Sequence, residues 1–227
     1  MKKIISTILV MMFGLCLITS AGWTAEEEMP KSGFLQDYSK LTLGDPMKAV
    51  NWLYVNEKAD YSTYNKIILD DVVFFLSENA DYKGFEAQEL ADLGNDFIKA
   101  IIINLSGVYE FTNEPGPGVM RIRMAITNLV PSNSFTGTMT TIIPVGLAVS
   151  AVKKAATGSH IGMGQVTFEG EVIDSQSGEI LGAVIDSKTG KKYKIGKGTS
   201  KWGHIIDVFN TWGQSLRARL DNLSGRE

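Results

Sequence analysis

Two pairs of charged residues are the clearest candidates for chemistry in this chain. Arg121 and Arg123 lie two residues apart in one alternating segment, and Glu169 and Glu171 lie two apart in another. Residues at i and i+2 of a β-strand point to the same face, so each pair presents two like charges on one side of a sheet. If the two strands are neighbours, opposite charges form a cross-strand ion-pair ladder, which is the favoured interpretation. The alternative is a binding face on which the planar arginine forks hold an anion or a charged polymer.

A lysine-rich segment near residue 190 is the most basic stretch of an acidic chain. Its lysines are Lys188, Lys191, Lys192, Lys194 and Lys197. Such a surface suits anionic envelope polymers or lipid headgroups. Lysines also guard exposed edge strands against pairing between molecules, and we favour that interpretation. The segment is kept as a candidate basic surface.

Sequence patterns of common enzymes are missing from the chain. It has no GxSxG nucleophile elbow and no HExxH motif, and its one cysteine, Cys16, lies in the N-terminal apolar run. The two histidines, His160 and His204, lack the close spacing of paired metal ligands. The glycine-rich stretches 158–164 and 190–200 do not match the phosphate-loop patterns. We therefore predict no catalytic residue, no metal site and no cofactor.

Bulk composition limits the size of the fold and the class of partner. The chain has 227 residues, of which 44% are hydrophobic and 21% charged, as is typical of one globular domain with a substantial core. Its formal net charge is −3. A nucleic-acid-binding protein needs a broad basic surface to neutralise phosphates, so we predict no nucleic-acid partner.

The N-terminus has the three parts of a secretory signal. Lys2 and Lys3 precede an apolar run that ends near Ile18, and small residues follow. The run is shorter than the ~20 apolar residues that span a bilayer, so cleavage is favoured over a permanent anchor. We predict a signal peptide over residues 1–21, cleaved after Ala21, a flexible tether over residues 22–33 and one globular domain over residues 34–227. Contact with the membrane is expected only through the signal segment.

The predicted compartment is the periplasm, and an outer-membrane lipoprotein is the less favoured alternative. Lipidation would use Cys16, but Leu15 stands where a lipobox needs Gly, Ala or Ser. We therefore predict a free protein rather than a lipid-anchored one.

The stretch 164–196 predicts a three-stranded antiparallel meander. Apolar and polar residues alternate along its first segment, which is the period of a half-buried strand. Asp174, Ser177 and Gly178 suit a tight turn, because they offer side-chain acceptors and a residue that tolerates positive φ. The same pattern recurs at residues 186–190, where a second turn is predicted.

Further strands are predicted before this meander. Segments 52–55 and 66–76 are rich in β-branched and aromatic residues and are predicted as strands joined by a loop, with a break at Asp70 and Asp71. Adjacent acids on a strand point to opposite faces, so these two do not form a catalytic dyad. Segments 108–112 and 119–129, joined by the Pro- and Gly-rich turn 113–118, predict another hairpin.

Three helices are predicted, over residues 86–105, 145–156 and 203–222. The apolar face of the first is predicted from residues at three- and four-residue steps, namely Leu90, Leu93, Phe97, Ile101 and Leu105. Hairpin-rich sequence without regular βαβ alternation then indicates an α+β domain: a mainly antiparallel (mixed) sheet with about three helices packed on it. The helix over 145–156 has small-residue faces around Ser150. Such faces suit core packing, which we favour, or self-association with a second copy.

Six segments carry a resemblance to a known family: SGFLQDYSKL, YV, YNKIILDDV, PGPGVMRIRMAIT, EGEVIDSQSGE and DVFNTWGQSLRARLD, at residues 32–41, 54–55, 64–72, 115–127, 169–179 and 207–221. In these segments the chain resembles an uncharacterised family of bacterial envelope proteins, domain of unknown function 3313, many of whose members are described as lipoproteins. The resemblance implies an envelope location, and it supplies no catalytic residues to carry over.

Two function classes fit these observations. We favour a non-enzymatic module of the cell envelope that binds a partner protein, a second copy or the cell wall. The alternative is a hydrolase that acts on an envelope polymer. The acid pair of such a hydrolase is assembled in space, so a single sequence does not reveal it.

Overall fold

The computed structural model describes residues 29–44, 50–76, 84–131, 165–189 and 202–226. Within these ranges lie eight strands and two α-helices, which are β1 (Thr42–Leu43), β2 (Trp52–Val55), β3 (Lys66–Leu69), β4 (Val73–Phe74), α1 (Ala87–Leu105), β5 (Glu110–Phe111), β6 (Val119–Val130), β7 (Gln165–Asp174), β8 (Ile180–Thr189) and α2 (Gly203–Ser224). The α+β class is confirmed. Helices α1 and α2 match two of the predicted helices, and the third, at 145–156, lies outside the described residues.

The eight strands form one mixed sheet in the order β1-β2-β8-β7-β6-β3-β5, with β4 paired to β6. In this order, each neighbouring pair from β1 through β2, β8 and β7 to β6 is antiparallel. Strand β3 runs parallel to both β6 and β5, and β4 is also parallel to β6. The long strand β6 is therefore antiparallel to its neighbour on one side and parallel to its neighbours on the other.

The first predicted turn of the meander is confirmed between β7 and β8. The Asp174 carboxylate accepts hydrogen bonds from the backbone N–H groups of Gln176, at 3.0 Å, and Ser177, at 2.7 Å. Gly178 has a φ of 74°, a conformation that costs glycine little. The groups that stabilise this turn all lie within it, so the local sequence is sufficient to predict it.

The second predicted turn, at residues 186–190, is wrong at its start. Strand β8 continues through Thr189, with Asp186 opposite Phe168 and Lys188 opposite Val166 of β7. In the first turn an aspartate caps backbone N–H groups of its own loop. Asp186 instead faces α2 and accepts hydrogen bonds from the Trp212 indole N–H and the Asn51 N–H, so the same residue pattern does not end the strand. The third strand of the predicted meander lies outside the described residues.

The predicted hairpin between 108–112 and 119–129 is also wrong, because β3 lies between β5 and β6. Lys66 N–H donates to the Gly118 carbonyl at 3.2 Å, and Glu110 N–H donates to the Asn65 carbonyl at 3.0 Å. The turn 113–118 therefore bridges two inter-strand spacings, roughly 10 Å, rather than one. Gly118 fits there because it has a φ of 70° and a Cβ would stand 2.8 Å from the Thr63 carbonyl oxygen.

The predicted strand break at Asp70 and Asp71 is confirmed, since β3 ends at Leu69 and β4 begins at Val73. The loop between β2 and β3 does not make them neighbours. Strand β2 pairs with β1 and β8, whereas β3 pairs with β5 and β6. Chain order and sheet order thus differ where a parallel strand is inserted.

The two helices cover one face of the sheet. The predicted apolar face of α1 is buried, and Phe97 stacks on Phe209 of α2 with ring centroids 4.5 Å apart. Trp212 of α2 packs against Phe168 of β7 with centroids 4.1 Å apart. The helices approach closely at Gly213, where a Cβ would stand 2.8 Å from the Ala100 carbonyl oxygen. This glycine lets the last helix lie against α1 and the sheet together.

The opposite face of the sheet is covered in part by residues 29–44. Phe34, Leu35 and Leu41 are buried there against the apolar residues of β7 and β8. Met29 and Ser32, which the sequence analysis assigns to a flexible tether, also contact the domain. In the described ranges, neither helix is long and apolar enough to cross a membrane.

Candidate functional site

The four charged residues singled out in the sequence share one face of the sheet but do not form a continuous ladder. Arg123 of β6 stands opposite Glu171 of β7, and their side chains form an ion pair. Arg121 instead forms an ion pair with Asp70, and its Nε lies 2.9 Å from the Asp70 Oδ1. Glu169 stands opposite Ala125, and within the described chain its side chain bonds to Ser32 and Tyr38 rather than to an arginine. One of the two predicted pairs of opposite charge is therefore present.

Glu169 is buried beneath the N-terminal segment. Its side chain accepts hydrogen bonds from the Ser32 N–H, at 2.9 Å, and from the Tyr38 hydroxyl. The Tyr38 hydroxyl oxygen in turn accepts from the Gly33 N–H at 2.8 Å. These bonds join the segment to the sheet through one carboxylate.

Glu171 holds the same segment two residues further along β7. Its carboxylate accepts from the Gln36 N–H at 3.1 Å and from the Gln36 side-chain amide at 3.3 Å. The Arg123 guanidinium that neutralises it lies over the Phe34 ring, 5.1 Å from the centroid. We call Tyr38, Arg123, Glu169 and Glu171 the carboxylate cluster. It fastens residues 32–38 onto the sheet and leaves its two carboxylates closed to solvent.

Burial dominates the protonation of this cluster. It raises the pKa of Glu169 above the usual glutamate value, and the hydrogen bonds from Tyr38 and Ser32 oppose this only in part. The pKa of Tyr38 is also raised, first by burial and then by its bond to Glu169. A proton is therefore held more tightly here than at an exposed carboxyl.

We expect this cluster to make the domain less stable as pH rises above the ordinary glutamate range. A carboxyl whose pKa is higher in the folded state binds a proton more strongly when folded. Its contribution to the free energy of unfolding is thus greatest below the unfolded pKa and falls as pH rises through the folded pKa. Glu169→Gln should remove this dependence of the free energy of unfolding on pH. Urea unfolding of both proteins from about pH 4 to about pH 8 measures the difference.

A matched control for this experiment is Glu110→Gln, since Glu110 is an exposed carboxylate with a surface partner, Lys66. It should keep the wild-type pH dependence. Tyr38, Arg123 and Glu171 face Glu169 and remain in all three proteins, so the difference between them reports Glu169. A Glu169→Gln protein whose stability runs parallel to the wild type across the range contradicts the prediction.

Of the candidate basic surface, the structure describes only Lys188. Its Nζ lies 2.8 Å from Asp186 Oδ2. The other four, Lys191, Lys192, Lys194 and Lys197, lie outside the described residues. Lys188 therefore serves as the counter-ion of a buried acid.

Asp186 is the most buried acid of the described chain, fully enclosed between the sheet and α2. Its Oδ2 accepts from the Trp212 indole N–H at 2.7 Å, and its Oδ1 accepts from the Asn51 N–H at 3.2 Å. Together with Lys188 these donors satisfy the carboxylate. Sequence reasoning placed Asp186 in a turn and so missed this role.

A cavity of about 100 Å³ lies beside this acid, between the sheet and α2. Its wall is almost entirely apolar and includes Leu53, Met124, Val184, Phe97, Trp212 and Leu216. Two strand glycines are among its lining residues: Gly170 stands opposite Val184, and Gly182 stands opposite Val172. Glycine inside a strand often marks a close approach of a ligand or a backbone. This was the one sequence signal that could have pointed to the cavity.

Arg219 is the single cationic residue of the cavity lining. Its side chain is half-buried and, within the described chain, takes part in no hydrogen bond or ion pair. Burial lowers the pKa of its guanidinium, and the negative charge of Asp186 opposes this shift. Ser215, on the preceding turn of α2, is exposed and also lines the cavity, so the space reaches the surface there.

No metal site accompanies these residues in the part of the chain that the structure describes, where no three His, Cys, Asp or Glu side chains are grouped as ligands. The arrangement therefore offers two features: a closed carboxylate cluster on one face of the sheet and an apolar cavity with an arginine on the other.

Comparison with protein families identifies the chain. The model of a family described as "Protein of unknown function (DUF3313)" matches residues 30–216. The chain belongs to the DUF3313 family. The match includes the whole carboxylate cluster and the strands of the cavity, while Arg219 lies just beyond it. None of the curated proteins matches this DUF3313 chain.

Solved structures similar to this DUF3313 protein are distant in sequence. A PelC dodecamer from Paraburkholderia phytofirmans has 9% identity and a TM-score of 0.35, covering 70% of this chain and 88% of that one. A DUF4136 family protein from Bacteroides thetaiotaomicron has 11% identity and a TM-score of 0.37, covering 74% and 94%. A minor lipoprotein from Acinetobacter baumannii has 9% identity and a TM-score of 0.30, covering 72% and 95%. At these distances no residue role is transferred.

Proposed function

We propose that this DUF3313 protein is a non-enzymatic module exported to the cell envelope, which binds an apolar group of its partner in the cavity between the sheet and α2. The observation that carries the proposal is the apolar wall of this cavity beside one unpaired guanidinium. Concave, mostly apolar spaces with few polar groups are the usual form of binding sites.

The size of the cavity supports binding of a group rather than a large ligand. A space of about 100 Å³ is larger than the gaps of a well-packed core, which rarely exceed one water molecule. Filling an apolar space of this kind removes hydrophobic surface from water and so favours binding.

The envelope location in this proposal is supported by the N-terminal sequence. Residues 1–21 combine two lysines, an apolar run and small residues in the order of a secretory signal. The proposal keeps the periplasm as the compartment, with a lipid-anchored form as its alternative.

The hydrolase alternative has less support from the described residues. Glu169, Glu171 and Asp186 are the buried acids, and each accepts hydrogen bonds from protein donors. A pair of catalytic carboxylates must face each other across space for the substrate. Glu169, the acid with the raised pKa, lies under residues 32–38 rather than in the cavity.

Val184→Phe tests the proposed binding site. Val184 lines the cavity, and its Cγ1 is 3.3 Å from where a Cβ of Gly170 would stand, so the larger ring must occupy the cavity. The neutral probe, radiolabelled decan-1-ol, should bind the full chain with saturation in equilibrium dialysis. We expect Val184→Phe to weaken this binding by about tenfold or more, which corresponds to roughly 1.4 kcal/mol.

The matched control is Ile103→Phe, which adds the same ring to an exposed position of α1. It should bind the probe like the wild type. Circular dichroism and a thermal melt establish that both variants are folded, because overpacking can cost 1–3 kcal/mol. A folded Val184→Phe protein with wild-type affinity, or a wild-type protein that does not bind the probe, contradicts the proposed site.

A further inference from the structure

We propose that the group bound in the cavity is a single acyl chain whose terminal carboxylate pairs with Arg219. This inference rests on the proposed binding function and specifies the chemistry of the ligand. It assigns to Arg219 the selection of an anionic amphiphile over a neutral one.

One charged residue of the cavity lining has no ion-pair partner. Of the charged residues in its lining, Asp186 and Arg219 lie on the cavity side, whereas the Glu171 side chain points to the opposite face of the sheet. Glu171 is paired with Arg123 and Asp186 with Lys188. Arg219 is left as the uncompensated charge of the lining, so an anion complements the site.

The guanidinium suits a carboxylate in particular. Its planar fork donates two parallel N–H bonds to the two oxygens of a carboxylate, which adds geometry to charge. Arg219 is half-buried beside an apolar wall, where water screens the interaction less than on an open surface. Trp212 and Leu216, on the same helix, continue the wall away from it.

The shape of the cavity favours a chain over a single protein side chain. Its lining crosses four adjacent strands, from Leu53 of β2 through Val184 of β8 and Val172 of β7 to Met124 of β6. Three inter-strand spacings of about 4.8 Å give a span of roughly 14 Å. A volume of about 100 Å³ spread over that length is a narrow slot. It accepts one unbranched chain and excludes two chains side by side.

Displacement of the radiolabelled decan-1-ol probe from the full chain tests this inference, with decanoate and unlabelled decan-1-ol as competitors of equal chain length. At neutral pH and concentrations below micelle formation, decanoate should bind about tenfold more tightly than decanol. Arg219→Gln should remove this preference and leave decanol affinity unchanged. Arg219→Lys, which keeps the charge but loses the fork, should keep part of it.

Lys99→Gln is the control for net charge, since Lys99 is exposed on α1. It should keep the full preference for decanoate. If decanoate and decanol bind equally to the wild type, or if Arg219→Gln changes the affinity for neither ligand, the inference is overturned while the cavity remains a binding site. If an acidic, apolar peptide displaces the probe and decanoate does not, the inference is overturned in favour of a protein ligand. If the probe itself does not bind, the proposed function fails together with the inference.

Discussion

Replacing Phe97 with alanine is expected to destabilise the domain by about 3–5 kcal/mol, which is the usual cost of deleting a buried phenylalanine ring. Phe97 is 0% exposed. Its ring stacks on Phe209 with centroids 4.5 Å apart and meets Phe168 edge-on at 5.8 Å. It thus connects α1, α2 and the sheet, and no neighbouring side chain can refill the space without moving a whole element.

The location of Phe97 adds to this cost. The ring lines the cavity, so its removal enlarges an existing space instead of creating a small isolated one. The free energy lost on removing a buried side chain grows with the volume left empty. We therefore expect the result to fall in the upper half of the range.

Urea unfolding followed by circular dichroism measures the effect. The control is Ile103→Ala on the same helix, because Ile103 is 72% exposed and should change the free energy of unfolding by no more than about 0.5 kcal/mol. Phe97→Leu, which keeps most of the volume, should cost less than Phe97→Ala. A loss below about 1 kcal/mol in Phe97→Ala contradicts the assignment of this ring to the centre of the core.

Asp186→Ala is expected to destabilise the domain by a similar amount, about 3–5 kcal/mol, because it removes one partner of a buried ion pair. The carboxylate accepts from Trp212 at 2.7 Å and from Asn51 at 3.2 Å, and Lys188 lies 2.8 Å away. Without it, the buried indole N–H has no acceptor. Each unsatisfied buried donor costs roughly 1–3 kcal/mol, and Lys188 loses its counter-charge as well.

Asp186→Asn separates charge from shape in this network. The amide keeps the volume and one acceptor but loses the negative charge, so we expect a smaller loss than in Asp186→Ala. Asp92→Ala is the control: Asp92 is exposed on α1 and accepts a hydrogen bond from Gln88 on the same helix face, so the change should stay within about 0.5 kcal/mol. Urea unfolding provides the free energies. An Asp186→Ala protein as stable as Asp92→Ala shows that the network does not stabilise the fold.

The three buried carboxylates differ in whether a cation lies beside them. Glu171 and Asp186 each have a cation within reach, while Glu169 has hydrogen-bond donors only. Burial without a cation raises the pKa of the Glu169 carboxyl above its usual value. The same comparison separates Arg219, a base of the cavity lining without a partner acid, from the paired arginines Arg121 and Arg123.

Local patterns in the sequence were sufficient for the features that depend on nearby residues. The spacing of Leu90, Leu93 and Phe97 predicted the buried face of α1, because a helix brings residues three and four apart onto one side. Asp174 and Gly178 predicted the turn between β7 and β8, because both the cap and the positive φ lie within the turn itself. The strand break at Asp70 and Asp71 was predicted for a similar reason.

Strand order was decided by contacts between distant residues. Segments 108–112 and 119–129 have the alternation and the turn of a hairpin, yet β3 separates them, because backbone groups of residues 65–67 satisfy those of both segments. Nothing in the turn 113–118 specifies that inserted strand. Asp186 shows the same limit: its sequence context is that of a turn, and only its bonds to Trp212 and Asn51 make it a buried strand residue.

The sequence by itself determined the α+β class, two helices, the turn after Asp174 and the family, since each depends on short-range periodicity or on motifs spread along the chain. Tertiary structure alone decided which charges meet, with Glu169 bonded to Tyr38 and Arg121 to Asp70. It also decided that Gly170, Gly182 and Arg219 border one cavity. The physical reason is that a charge or a glycine acquires its role from the groups around it, and these come from segments that the chain brings together only on folding.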